Sequence, residues 1–230
     1  MIVTDKFIFI HLFRTGGTPI INSLNGKMLG YHRPRSLIPK EYLHLPVVGN
    51  VRNPFDWYVS VYYHGLNGKY PMKTLTFINK ILDFKRYSFK EGIKKLVDTS
   101  WMSSTDRKKC LSHFSLEYNW NMLHIDNLRR TECQSYLESE VGYLSWLFNY
   151  MYQYNGSIKE VTYCRLEDLD LKNYPRLNAM SGINSELGEE VKEPRHSDYM
   201  KYYDDELIEL ILYKDKNYIK KFNYDISSHL

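Results

Sequence analysis

A run of apolar residues passes directly into two adjacent glycines in the stretch KFIFIHLFRTGGTPI, residues 6–20. Residues 6–13 are β-branched, aromatic and nearly continuously apolar, which predicts a strand buried on both faces, as in a parallel sheet. Gly16 and Gly17 then interrupt the run, and such small residues favour a tight connection to the next element. The stretch therefore predicts a strand that leads into a glycine loop.

The element after this loop is predicted to be a helix. Thr18 has the side chain of an N-cap residue, and Pro19 fits the first helical turn, where no amide donor is needed. Gly30 is a suitable residue to end the helix. The apolar residues that recur on one helical face before it are Ile20, Ile21, Leu24 and Met28.

The same order of elements recurs in LPVVGNVRNPFDWYVSVYYH, residues 45–64. A short apolar strand runs through Val51, Asn53 is the predicted helix cap, and Pro54 is the predicted first helical residue. A third strand is predicted at IKEVTYCRLEDL, residues 158–169. Repeated strand-to-helix units predict an α/β protein with a central parallel β-sheet flanked by helices, and with ligands at the carboxyl ends of its strands.

The rest of the chain has a mainly helical pattern. Residues 67–156 are predicted to form a helical insertion, without a linker, a repeat or a low-complexity tract. Residues 202–225 predict one long amphipathic helix, whose acidic first turn and lysine-rich end match the helix dipole. At 230 residues, a single domain over 1–230 with this insertion is the expected organisation.

Composition excludes several classes of protein. With 31 Lys and Arg against 27 Asp and Glu, the net charge is only +4 and the basic residues are scattered, so no nucleic-acid partner is indicated. Three cysteines without a CxxC spacing predict a reduced protein without a zinc site. No apolar run approaches the roughly 18 residues of a membrane span. We therefore expect a soluble, cytoplasmic protein, whose oligomeric state the sequence does not indicate.

The glycine loop has the residues of an anion-binding site. Small residues before a helix direct several backbone N–H groups to one point, where the helix dipole adds partial positive charge, and together these favour phosphate or sulfate. Gly16 and Gly17 would allow close approach, Thr15 and Thr18 add hydroxyl donors, and Arg14 adds a full charge. The mononucleotide P-loop pattern G-x-x-x-x-G-K-[ST] is not matched. A plain tight turn is the alternative interpretation.

The second strand-to-helix unit carries a second pair of anion-binding groups. Arg52 lies at the carboxyl end of the predicted strand, and Ser60 follows Asn53 by seven residues, which is close to two helical turns. A cation at the strand end and a hydroxyl on the next helix suit a second phosphate. The alternative is a capped surface helix beside an ordinary arginine.

Taken together, the two motifs resemble those of sulfotransferases that use 3′-phosphoadenosine 5′-phosphosulfate (PAPS). FIHLFRTGGTPIINSL, residues 9–24, resembles their 5′-phosphosulfate-binding loop. VRNPFDWYVSVYYH, residues 51–64, resembles their 3′-phosphate-binding motif, with Arg52 and Ser60 at the matching positions. The third predicted strand and the C-terminal helix also resemble parts of that family. The resemblance implies a P-loop nucleotide-binding, sulfotransferase-like fold, with PAPS as the sulfuryl donor and no metal.

The resemblance also implies roles for individual residues. The family usually has lysine where this chain has Arg14, and serine or threonine where it has Pro19. Because that lysine contacts the bridging oxygen and the leaving phosphate, Arg14 is the implied catalytic cation. Residues 192–199, KEPRHSDY, resemble a segment that closes over the nucleotide, and Lys192, Arg195 and His196 are its candidate 3′-phosphate contacts. The implied cofactor-binding residues are Arg14, Thr15, Gly16, Gly17, Thr18, Pro19, Arg52, Ser60 and Arg195.

Sulfuryl transfer also needs a base for the acceptor hydroxyl. His32, in GYHRPRSL, is expected to begin a short extended stretch near the second strand, and heparan sulfate 2-O-sulfotransferases look similar here, with a histidine base. A structural role for His32 is the alternative. Glu167, in the turn after the third strand, is a second candidate base, with capping as its commoner role. Structural or loop roles are expected for the three other histidines near the motifs, His11, His44 and His64.

These motifs predict an enzyme that transfers a sulfuryl group from PAPS to a hydroxyl acceptor, with a carbohydrate as the expected acceptor. No motif identifies that acceptor. One alternative is a small-molecule kinase, although the chain lacks the P-loop lysine spacing and a clear magnesium-binding carboxylate after a strand. Another is a non-catalytic nucleotide- or glycan-binding protein.

Overall fold

The computed structural model describes residues 1–67, 82–114, 128–154, 161–168 and 198–224. The chain divides into two units. We call the first the sheet unit, which comprises Met1–Asn53 and Phe148–Arg195, and the second the helical unit, which comprises Pro54–Leu147 and His196–Leu230.

The described part of the sheet unit contains a mixed sheet of five strands. Its first strand, β1, pairs antiparallel with both β2 and β3, whereas β2, β4 and β5 pair in parallel. The strands are β1 (Ile2–Val3), β2 (Ile8–Ile10), β3 (Lys27–Met28), β4 (Val47–Val51) and β5 (Val161–Arg165), in the spatial order β3-β1-β2-β4-β5.

The three parallel strands are those that the sequence predicts, and they confirm an α/β chain. Ile8 pairs with Val47, and Val47 pairs with Val161, so β4 is the central strand of the three. Every residue of β2 and β4 is buried, which explains why β2 is apolar throughout and β4 is mainly apolar. The strand predicted at 6–13 is shorter in the structure because the backbone beyond Ile10 turns into the loop. β1 and β3 were not predicted, since two-residue strands leave no alternating pattern.

Helix α1 (Gly17–Ser23) is shorter than its sequence pattern predicts. Its N-cap is Gly16 rather than the predicted Thr18, and Gly16 adopts a left-handed conformation with φ 73° and ψ 22°. The predicted continuation through Met28 to Gly30 is also wrong, because residues 27 and 28 form β3 and pair with β1. Sheet pairing, which involves residues distant in the chain, overrides the local helical spacing here.

The helical unit is built around seven helices in the part of the chain that the structure describes. One of them, Tyr143–Tyr152, continues across the division into the sheet unit. Four of the seven, α3 to α6, lie in the segment 67–156, where the sequence predicts helices. The predicted single domain with an insertion over that segment stays a prediction. The helices are α2 (Pro54–Asn67), α3 (Phe89–Val97), α4 (Ser104–Leu111), α5 (Arg130–Leu137), α6 (Tyr143–Tyr152), α7 (Asp205–Lys214) and α8 (Lys216–Phe222).

The predicted C-terminal helix is interrupted. α7 begins after Asp204, whose side chain accepts a hydrogen bond from the Leu207 amide at 3.0 Å, and it ends at Lys214. Asp215 then leaves the helical conformation, with φ −104° and ψ 15°, and α8 follows. The predicted acidic first turn lies in α7, and the predicted lysine-rich last turn lies in α8. Each of these turns therefore still matches the dipole of its helix.

The side chain of Asp215 explains the interruption. It is fully buried, and its carboxylate accepts hydrogen bonds from the Ser145 amide at 2.9 Å and the Tyr58 hydroxyl at 2.7 Å. The Tyr58 hydroxyl in turn accepts from the Leu144 amide at 3.2 Å. Burial raises the pKa of Asp215, while the hydrogen bonds from Ser145 and Tyr58 oppose that rise. Asp215 and Tyr58 thus satisfy two of the N-terminal amides of α6, which have no partner within their own helix.

We expect Tyr58→Phe to lower the free energy of unfolding by about 1–3 kcal/mol, because it leaves a buried carboxylate oxygen and a buried amide without their partner. Tyr213→Phe is the matched control. Tyr213 is 65% exposed, and its substitution should change the free energy by less than about 0.5 kcal/mol. Urea unfolding of the two variants measures the difference, and equal stabilities would contradict the capping role of Tyr58.

Candidate functional site

The glycine loop connects β2 to α1 at the carboxyl end of β2, beside the end of β4. Arg14 has φ 58° and Gly16 has φ 73°, so two loop residues are in left-handed conformations. The only other described non-glycine residue with positive φ is Asn223, which ends α8 in the ordinary way. Arg14 lies outside any helix end, and holding a non-glycine residue there costs of order 1–3 kcal/mol. Such strain is typical of functional loops.

The Thr15 hydroxyl is used within the loop. It donates to the Leu12 carbonyl at 2.6 Å, and Thr15 is fully buried. The sequence analysis expected this hydroxyl to donate to a bound anion, but its one proton is committed to Leu12. Any donation from Thr15 to an anion is therefore left to its backbone amide.

Two side chains at the end of β4 hold two further loop carbonyls. Arg52 donates from Nη1 to the Arg14 carbonyl at 3.0 Å. Asn50 donates from Nδ2 to the Thr15 carbonyl at 2.5 Å. Arg52 is 2% exposed, and Asn50 is fully buried. Sequence reasoning identified Arg52 and missed Asn50, although a polar residue inside the apolar strand VVGNV was a usable signal.

Gly16 and Gly17 are required by packing as well as by backbone geometry. A Cβ atom on Gly16 would overlap the Leu166 side chain, and one on Gly17 would overlap the His11 ring. The sequence analysis explained these glycines by close approach of an anion. In the structure, their missing side chains admit Leu166 and His11 beneath the loop.

His32 is buried against His11. Their ring centroids are 4.6 Å apart, and His32 Nδ1 lies 3.1 Å from the His11 carbonyl oxygen. Because a carbonyl only accepts, Nδ1 carries the proton, and Nε2 is then the basic nitrogen of neutral His32. The extended stretch predicted to begin at His32 is absent, since the residue lies in a turn after β3.

His11 itself is held neutral. Burial lowers its pKa well below the ordinary value, and the positive charges of the Met1 ammonium, of Arg14 and of His32 when that ring is protonated lower it further. Its Nδ1 atom is buried and has no hydrogen-bond partner in the described parts of the chain. His11 is therefore a packing residue under the loop, as the sequence analysis expected, and Arg14 carries the loop's full positive charge.

The remaining candidate residues are spread over both units. Glu167 accepts a hydrogen bond from the Asn53 amide at 2.5 Å, which matches the capping alternative. Ser60 lies on α2 in the helical unit and is 2% exposed. Arg195 lies outside the described residues, as do Lys192 and His196. His44 is exposed in a turn, and His64 lies in the last turn of α2.

Across the described ranges, no group of three or more His, Cys, Asp or Glu side chains could hold a metal ion. In the same ranges, no helix has both the length and the apolar character needed to cross a membrane. Comparisons of the chain with protein-family models, with curated proteins and with solved structures found no match.

We expect Gly17→Ala to lower the free energy of unfolding by about 1–3 kcal/mol, because the new methyl group must displace the buried His11 ring. Thr18→Ala is the control at the next position, where the side chain is exposed, and it should change stability by less than about 0.5 kcal/mol. Chemical denaturation measures both values. A Gly17→Ala protein as stable as the control would show that His11 does not need this space.

Proposed function

We propose that this protein binds PAPS and transfers its sulfuryl group to a hydroxyl acceptor. The observation that carries the proposal is the 3.0 Å hydrogen bond from Arg52 to the Arg14 carbonyl. This contact joins the two motifs that the sequence analysis interpreted as binding the two ends of one nucleotide. Two separate motifs that meet at the carboxyl ends of neighbouring parallel strands are typical of nucleotide sites in α/β proteins.

The charge of the loop supports an anionic ligand. Residues 11–20 contain no acidic side chain, and α1 has none in its first turn. In the proposed complex, the amides from Gly16 to Thr18 and the Arg14 side chain bind the 5′-phosphosulfate. Pro19 is the third residue of α1 and has no N–H, so it contributes no amide donor. Thr18 has an exposed side chain in the first turn of α1, and its hydroxyl takes the donor role that Thr15 does not fill.

Arg52 is the proposed contact to the 3′-phosphate within the sheet unit. One of its nitrogens holds the Arg14 carbonyl, and its guanidinium has the permanent charge and planar fork of donors that suit recognition of a phosphate. The predicted roles of Ser60 and Arg195 in binding the same phosphate stay predictions from sequence.

Arg14 is the proposed catalytic cation. During transfer, the acceptor oxygen forms a bond to sulfur while the bond from sulfur to the 5′-phosphate oxygen breaks, and negative charge grows on that leaving phosphate. A cation that meets this charge stabilises the transition state more than the bound substrate. The planar guanidinium is bulkier than the lysine that is usual in the resembling family, so Arg14 favours charge stabilisation over close contact with one bridging oxygen.

His32 is the proposed base. With Nδ1 donating to the His11 carbonyl, Nε2 is the atom that would take the proton of the acceptor hydroxyl. Glu167 is the weaker candidate, because its carboxylate already accepts from the Asn53 amide. We propose a carbohydrate as the acceptor and the cytoplasm as the compartment, both on the basis of sequence alone.

Calorimetric titration tests the proposal directly. We expect 3′-phosphoadenosine 5′-phosphate, the product nucleotide, to bind the protein at tens of micromolar, and magnesium ATP to bind much more weakly. ATP binding without binding of the product nucleotide would overturn the proposal in favour of a kinase. Nucleotide binding without hydrolysis of PAPS or transfer to any acceptor in a broad screen would identify a non-catalytic binding protein.

We expect Arg52→Ala to weaken binding of 3′-phosphoadenosine 5′-phosphate more than binding of adenosine 5′-monophosphate, which lacks the 3′-phosphate. Both ligands lose the support that Arg52 gives to the loop, but only the first loses a charge-assisted contact, typically worth about 1.5–3 kcal/mol. Titration of both ligands measures this difference. Equal losses would mean that Arg52 only supports the loop, and the 3′-phosphate assignment would be dropped.

A further inference from the structure

Three hydrogen bonds determine which way the peptide groups of the glycine loop face. The carbonyl groups of Leu12, Arg14 and Thr15 each accept from a side chain. The described residues contain no cis peptide bond, and in a planar trans peptide the N–H points away from the C=O. Each bond that draws a carbonyl to one side therefore turns the next residue's N–H to the opposite side.

The hydrogen bond from Asn50 acts on the peptide group between Thr15 and Gly16, which matters most for an anion bound at the glycines. Its Nδ2 atom binds the Thr15 carbonyl at 2.5 Å, and the N–H of that same peptide belongs to Gly16. With the carbonyl drawn to β4, the Gly16 amide faces away from β4. Gly16 has positive φ, so this peptide could adopt other orientations at low cost if nothing held it.

Asn50 is itself held rigidly. Its backbone N–H donates to the Tyr152 hydroxyl at 3.1 Å, and its carbonyl lies 3.1 Å from the same hydroxyl. That hydroxyl also lies 3.1 Å from the Ile10 carbonyl, at the end of β2. A Cβ on Gly49 would overlap the Tyr152 ring, so the glycine makes room for this contact. The Tyr152 hydroxyl thus joins the ends of β2 and β4, and it fixes the backbone of Asn50, whose side chain orients the loop.

The oxygen of the Asn50 side-chain amide indicates that stability alone does not explain this residue. Its Oδ1 atom is buried and has no hydrogen-bond partner among the residues that the structure describes. A buried unpaired acceptor is unfavourable, and an apolar residue of similar shape would avoid it. The Nδ2 donor to Thr15 is the interaction that such a residue would lose.

We infer that Asn50 is a positioning residue, which turns the Gly16 amide toward the 5′-phosphosulfate of the nucleotide. This inference rests on the proposed function, because it assigns the direction of an amide within that proposed site. Asn50 does not touch the ligand. It selects one orientation of a peptide that would otherwise be free to turn.

Two isosteric substitutions test the inference. Asn50→Asp keeps the shape but replaces the Nδ2 donor with a carboxylate oxygen, which repels the Thr15 carbonyl. Tyr152→Phe is the matched control, because it keeps the ring against Gly49 and removes only the hydroxyl that fixes the strand ends. Asn50→Ser, which is too short to reach Thr15, serves as a second variant if the buried carboxylate prevents folding. Circular dichroism confirms that each variant is folded.

The measurement is calorimetric titration with 3′-phosphoadenosine 5′-phosphate and with adenosine 3′-monophosphate, which lacks the 5′ group. We expect Asn50→Asp and Asn50→Ser to weaken the first ligand at least about tenfold and the second by less than about twofold, since only the first meets the Gly16 amide. Tyr152→Phe leaves the Nδ2 donor of Asn50 in place, so it should weaken the first ligand by a smaller factor than the Asn50 variants do.

Equal changes for both ligands in the Asn50 variants would overturn the positioning role and leave the proposed function standing. Failure of the wild-type protein to bind 3′-phosphoadenosine 5′-phosphate would overturn the proposed function, and the inference with it. The two failures are therefore distinguishable in one set of titrations.

Discussion

The parallel pairing of β2 with β4 is the interaction on which the candidate site depends. Parallel strands end at the same edge of a sheet, so the loop that follows β2 lies beside the last residues of β4. Asn50 and Arg52 reach the carbonyls of that loop only because of this register. A shift by one residue would turn both side chains to the opposite face of the sheet and release the loop.

The loop concentrates several features that do not favour stability. Arg14 is in a left-handed conformation, the Asn50 amide oxygen is buried without a described partner, and His11 is a buried neutral imidazole. Proteins tolerate such local costs where the resulting geometry serves a function. Their concentration in the loop and in the residues packed against it is the physical reason for locating the site here.

The helical unit also buries a polar side chain, but there the polar atoms have hydrogen-bond partners. Asp215 is a buried carboxyl group, but both of its oxygens accept hydrogen bonds, from Ser145 and from Tyr58. Buried polar groups that are paired in this way contribute to one defined arrangement of helices. The contrast between the satisfied Asp215 and the unpaired Asn50 oxygen separates a structural network from a candidate functional one.

Local patterns were sufficient to predict the three parallel strands, the glycine loop and the position of Arg52 at a strand end. Strands buried on both faces require continuous apolar runs, and glycine is needed where the backbone turns with positive φ, so both leave a direct record in the sequence.

Other features depend on partners that are remote in the chain. The Thr15 carbonyl binds a residue 35 positions away, and Asp215 accepts from one that is 70 positions away. The early end of α1 and the break between α7 and α8 follow from such contacts. The sequence by itself determined where the three parallel strands and the loop lie. Only the tertiary structure decided which way the loop's peptide groups face, because a hydrogen bond between distant residues leaves no periodic pattern along the chain.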